Sequence, residues 1–111
     1  MELPNSIDKE VVPLCTALNK IPGVQTLESC CGHGKGNFRI FFYCDDMETL
    51  YKLTCLIGPP WFMEVCGGSG FSGNRSYFAL EYKKSKGESA YAASYELAMN
   101  LKAAERALKG E

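Results

Sequence analysis

The sequence predicts an α+β fold: a largely antiparallel four-stranded sheet built from two ββα-like units, with an N-terminal helix before it and a long C-terminal helix after it. Three observations predict this. Residues 28–39 and 64–75 read as one hairpin written twice, since each opens on Glu-x-Cys (Glu28 and Cys30, then Glu64 and Cys66), runs through a glycine-rich loop, and closes on an asparagine followed within two residues by an arginine. An apolar strand-like segment follows each loop, Ile40-Phe41-Phe42-Tyr43 in the first and Tyr77-Phe78-Ala79-Leu80 in the second. Residues 88–108 are rich in Ala, Glu, Leu and Lys, a strong helix composition. At 111 residues the chain is read as a single domain, residues 1–111, with room for a modest core.

Taken in order, Asn5 or Ser6 can cap a first helix whose apolar residues Ile7, Val11, Leu14, Leu18 and Ile21 recur at four and three and so form one stripe. Pro13 interrupts the hydrogen-bond ladder, so a bend or a late start is expected there. Ile21-Pro22-Gly23 ends the helix. Residues 24–31 and 38–44 form the first hairpin, and its second strand, apolar on both faces, belongs at the centre of the sheet. Asp45, Asp46 and Glu48 supply an N-cap and a first-turn carboxylate for a helix through Met47, Leu50, Tyr51, Leu53 and Leu56. Gly58-Pro59-Pro60 stops it. Residues 61–66 and 76–82 form the second hairpin, and the polar run from Lys83 to Gly87 leads into the last helix. Its apolar positions drift between two stripes, Tyr91, Tyr95 and Ala98, then Leu97, Leu101, Ala104 and Leu108. A helix of that length spans about 30 Å against roughly 20 Å for the strands, so its far end is expected to overhang the sheet and to pack on another copy. The expected assembly is a homo-oligomer, a dimer or a multiple of dimers. Two ββα units are also expected to bring both glycine-rich loops to one end of the sheet.

Composition narrows the function. Hydrophobic residues make up 46% and charged residues 23%, ordinary for a globular domain, and 12 Lys+Arg against 13 Asp+Glu give a net charge of −1. A long polyanion such as duplex DNA is therefore not the expected partner, whereas a small anion needing one or two arginines is compatible. Met1-Glu2-Leu3-Pro4-Asn5 has neither a basic nor an apolar leader segment, and no apolar run approaches membrane length, so a cytoplasmic protein without membrane contact is expected. In that compartment Cys15, Cys30, Cys31, Cys44, Cys55 and Cys66 read as reduced thiols, mostly in apolar segments, and not as a disulfide scaffold. No C-x-x-C occurs, and the adjacent Cys30 and Cys31 would face opposite ways on a strand, so neither a metal nor a cofactor is expected.

Seven of the eleven glycines lie in the two loops, where backbone approaches a ligand closely or takes φ > 0. Both loops close on a planar cation, Arg39 and Arg75. Phe71, between Gly70 and Ser72-Gly73, offers a stacking platform for a base, with Trp61 or Tyr43 as lesser candidates, and Asn74 can serve either as a ligand contact or as a turn residue. Arg39 sits in an otherwise apolar strand and needs a phosphate or a carboxylate, the candidate carboxylates being Glu28 and Glu64. His33, two residues after Cys31, could belong to the ligand loop, to a backbone hydrogen bond, or to a thiol-base pair, but no cysteine-enzyme signature surrounds it. Neither loop is a Walker A or dinucleotide fingerprint, so a bound phosphate would rest on loop amides and arginine.

Thr26-Leu27-Glu28-Ser29-Cys30-Cys31-Gly32-His33, followed by Phe38-Arg39-Ile40-Phe41-Phe42 and preceded by Leu3-Pro4-Asn5-Ser6-Ile7-Asp8, resembles the first family of phage Thoeris anti-defence proteins over most of the chain. The resemblance implies an oligomeric, non-enzymatic sponge that traps cyclic ADP-ribose isomers made by host TIR-domain proteins, with some members also holding cyclic oligonucleotides at a separate site. It places the family's arginine, asparagine and aromatic binding positions on Arg39, Asn74 and Phe71. A weaker resemblance, Ser29-Cys30-x-Gly32 with Arg39-Ile40, is to a block of the wybutosine-synthesis methyltransferases, although here Arg-Ile stands seven residues past the glycine. The expectation is thus a binding protein for a small cyclic nucleotide, with ligand residues Arg39, Phe71, Asn74, Arg75, Gly70, Gly73 and His33. The alternatives are a small Cys/His-dependent or tRNA-modifying enzyme and a protein-binding module with no small ligand.

Overall fold

A computed structural model of the chain describes residues 8–32, 36–67 and 77–108. After a 3₁₀ turn at Lys9–Val11 the first helix, α1, runs Val12–Asn19, with Pro13 in its first turn. A missing amide hydrogen costs nothing there, which is why the helix starts late. The proposed caps Asn5 and Ser6 lie outside the described residues. Asn19 closes the helix against the first strand: its Oδ1 accepts from the Thr26 amide at 2.8 Å and its Nδ2 donates to Thr26 Oγ1 at 2.9 Å. Gly23, at φ +84°, makes the turn between them.

The strands are β1 Val24–Cys30, β2 Phe38–Cys44, β3 Trp61–Gly67 and β4 Tyr77–Tyr82, in the order β1-β2-β4-β3 and antiparallel at every pairing. β2 is central, as its composition requires. Helix α2, Met47–Leu56, joins β2 to β3 and is capped by Asp46, which accepts hydrogen bonds from Thr49 Oγ1 at 2.8 Å and the Glu48 amide at 3.2 Å. Those two bonds, the hydroxyl's first, hold the Asp46 carboxyl below the usual range.

Because β4 lies between β2 and β3, α2 must return the chain to the end at which β2 began, and β2 and β3 run parallel. The β1–β2 connection therefore meets the sheet beside Phe38 and Tyr82, whereas Gly67 and Tyr77, which bound the second loop, lie at the opposite end beside Tyr43. The two loops do not spring from one end.

The last helix also differs from expectation. It stops at Ala103 (α3, Glu88–Ala103), the chain turns at Ala104, and a short α4, Glu105–Leu108, follows. A 16-residue α3 is about 24 Å long, close to the sheet's own length. The turn folds α4 onto α2, where Lys52 Nζ donates to the Ala107 carbonyl at 3.2 Å. Leu97, Leu101 and Leu108 are accordingly buried at 5%, 2% and 4% exposure within the chain itself, and they present no overhanging stripe to a neighbour.

All helices feed one core. Phe38, Ile40 and Phe42 of β2, with Phe78, Leu80 and Tyr82 of β4, pack against Leu14, Leu18, Leu53 and Leu101 from the helical layer. None of the six cysteines is in a disulfide: Cys15, Cys31 and Cys44 are buried, Cys30 and Cys66 half-buried, and Cys55 exposed.

Candidate functional site on the open face of the sheet

Strand side chains alternate, so whatever does not face the helices faces the other way. On the two central strands this second face carries Arg39, Phe41 and Tyr43 from β2 and Tyr77, Ala79 and Glu81 from β4. Among the described residues, no helix packs on it: the buried apolar residues of every helix belong to the core on the far side. Register arranges the face in three rows, Arg39–Glu81–Phe62, Phe41–Ala79–Glu64, and Tyr43–Tyr77. Along β2, Arg39 and Tyr43 are about 13 Å apart.

The first row is an electrostatic cluster. Glu81, its side chain only 9% exposed, accepts a short hydrogen bond from Asn37 Nδ2, meets Arg39 Nη2 at 3.3 Å and lies 3.9 Å from Lys83 Nζ. A buried carboxylate without partners would be costly, and three donors make it tolerable. In return Glu81 fixes the Arg39 guanidinium, whose carbon sits 5.9 Å from the Phe41 ring centroid. Among the described contacts only Nη2 is engaged, and the side chain is 46% exposed, so the other guanidinium donors face outward. Lys83 is shared with Glu64 at 3.6 Å and lies 5.1 Å from the Phe62 ring centroid.

The second and third rows are aromatic. Phe41 and Tyr77 sit with ring centroids 6.4 Å apart at 55°, beside the small Ala79. Cys66 lies within electrostatic reach of Arg39. Burial, and then the Glu64 carboxylate, push its thiol above the ordinary value, outweighing Arg39 and the Ala79 backbone. Burial raises the thiols of Cys15 and Cys44 as well. A raised thiol is the wrong form for a nucleophile. No group of three His, Cys, Asp or Glu among the described residues could hold a metal ion.

Of the residues expected from sequence to bind ligand, Arg39 is on this face. His33, Gly70, Phe71, Gly73, Asn74 and Arg75 lie outside the described residues. Arg39 pairs with Glu81 and not with Glu28 or Glu64. Tyr43 shares the face, but Trp61 does not: it is buried on the helical side, edge-on to Phe38 at 5.9 Å. Sequence reasoning missed Phe41, Tyr77, Glu81 and Lys83. The signal for the ion pair was there, since Arg39 and Glu81 are the single charges in Phe-Arg-Ile-Phe-Phe-Tyr-Cys and Tyr-Phe-Ala-Leu-Glu-Tyr.

Comparison of the chain with protein-family models, with curated proteins and with solved structures gives no significant match. No described helix is long and apolar enough to cross a membrane.

Proposed function

We propose that the protein binds a small cyclic nucleotide on the open face of the sheet and sequesters it unaltered, as an anti-defence sponge for a cyclic ADP-ribose isomer acting in the host cytoplasm. The observation that carries this reading is the half-exposed Arg39, fixed by Glu81 beside the Phe41 ring and one ring further from Tyr77. A guanidinium with free donors suits phosphate, and aromatic faces suit a base. The resemblance to the first Thoeris anti-defence family points to the same ligand class, and Phe71, Asn74 and Arg75 would add to the site from the second loop. Sequestering a signal at submicromolar concentration requires about −9 kcal/mol, which calls for several such contacts at once.

A homo-oligomer remains part of this proposal, but through a different surface. With the final-helix leucines buried, the large apolar side chains left outside on the helical layer include Met47 at 77% and Tyr51 at 69% exposure, one turn apart on α2.

The test is binding without turnover. Purified protein incubated with cyclic ADP-ribose isomers should deplete one of them, and heating should return it unchanged. Recovery of hydrolysed or methylated product would favour a small enzyme. Failure to deplete any nucleotide would favour a protein-binding module.

A further inference from the structure

A cavity of about 260 Å³ opens on the helical side of the molecule, where the nucleotide reading has no use for it. Pro60, Trp61 and Tyr82 form one wall, and Glu96, Leu97 and Asn100 of α3 form the other. Trp61 and Tyr82 are cross-strand partners with ring centroids 5.0 Å apart. They are only 8% and 7% exposed, yet among the described residues neither the indole N–H nor the phenol hydroxyl has a hydrogen bond, and neither atom is sealed from solvent. Buried tryptophan and tyrosine ordinarily find a partner for these groups. What remains accessible of each residue therefore includes its polar end.

Glu96 and Asn100 stand one helical turn apart and present a carboxylate and an amide to the same space. Neither has a hydrogen bond or ion pair among the described residues, and no lysine or arginine lines the cavity. An anion would meet the Glu96 carboxylate unopposed. A neutral apolar molecule would strip water from four polar groups and replace none of their hydrogen bonds. An ammonium donates to the carboxylate, the amide oxygen and the phenol oxygen, and leaves only the indole N–H to water. We infer that this cavity is a binding site for a small organic cation, a protonated primary amine or guanidine, and that it functions independently of the sheet's open face.

Trp61 is the only tryptophan in the chain, so its indole resonance reports on this cavity without ambiguity. The experiment titrates the full chain with propylammonium chloride and methylguanidinium chloride, against propanol and sodium propionate, at matched ionic strength. A saturable shift of the indole ¹H–¹⁵N signal is expected with the cations and not with the neutral or anionic homologues. Glu96→Gln should weaken that response at least ~5-fold without moving the melting temperature, since the loss is one charge-assisted contact at an exposed position. No saturable shift, an equal response to propanol, or an unchanged response in Glu96→Gln would each overturn the assignment.

Discussion

Replacing Arg39 by alanine separates binding from folding, because the surroundings of Glu81 are redundant. The Arg39–Glu81 contact is 3.3 Å long but one partner is 46% exposed, so screening limits its worth to about 1 kcal/mol. After the change Glu81 still accepts from Asn37 and still has Lys83 within 3.9 Å, so its buried carboxylate is not orphaned. For a chain of this size the melting temperature should fall by only about 4 °C. Affinity for the cyclic nucleotide should fall much further, by about 1.5–3 kcal/mol or roughly 10- to 150-fold, since a charge-assisted contact to phosphate disappears. Arg39→Lys is the informative companion: it restores the charge beside Glu81 but cannot fork onto a phosphate, so stability should recover while affinity stays low. Calorimetric titration alongside thermal melting reads both quantities. Unchanged affinity in Arg39→Ala, or a melting collapse as the dominant effect, would make Arg39 a structural ion-pair partner and remove it from the site.

Other consequences concern the framework. Leu101→Ala should destabilise by about 2–5 kcal/mol in denaturant titrations at any protein concentration, because Leu101 is buried within its own chain; a concentration-dependent loss would return it to a subunit interface. Ser94 is fully buried and its hydroxyl has no partner among the described residues, so Ser94→Ala should stabilise by about 1 kcal/mol, and a lower melting temperature would expose a missed hydrogen bond. Asp46 has a folded pKa below its unfolded value, so its contribution is present above the unfolded pKa and is lost as pH falls through the folded one. Asp46→Asn should therefore flatten the acid limb of a stability-versus-pH curve; an unaltered limb would show that the cap carries no such linkage.

Much of the fold was legible because local signals agreed with the global one. Phe38 to Cys44 is apolar or aromatic on both faces apart from Arg39, so its central place follows, and Asp46, Pro13 and Gly58-Pro59-Pro60 mark boundaries where the backbone obeys them. What was not legible depends on connection geometry. Nothing local to the two similar hairpins says that α2 is a parallel crossover, and that single fact sends their loops to opposite ends of the sheet. The same ignorance of strand order hid Glu81, 42 residues from Arg39 in sequence and its direct neighbour across β2 and β4. The final helix misled for another reason: Ala104 is a good helix former, and only the packing of Leu108 and α4 against α2 accounts for the turn there.

The central claim is that the open face of the sheet, and not the helical layer, receives the nucleotide. Chemical-shift mapping on isotopically labelled protein tests it most directly. Addition of a cyclic ADP-ribose isomer should move the signals of Arg39, Phe41, Ala79 and Glu81 and leave Leu14, Leu18 and Leu101 unmoved. Shifts confined to α1 and α3, with the Arg39 and Phe41 signals in place, would contradict the account.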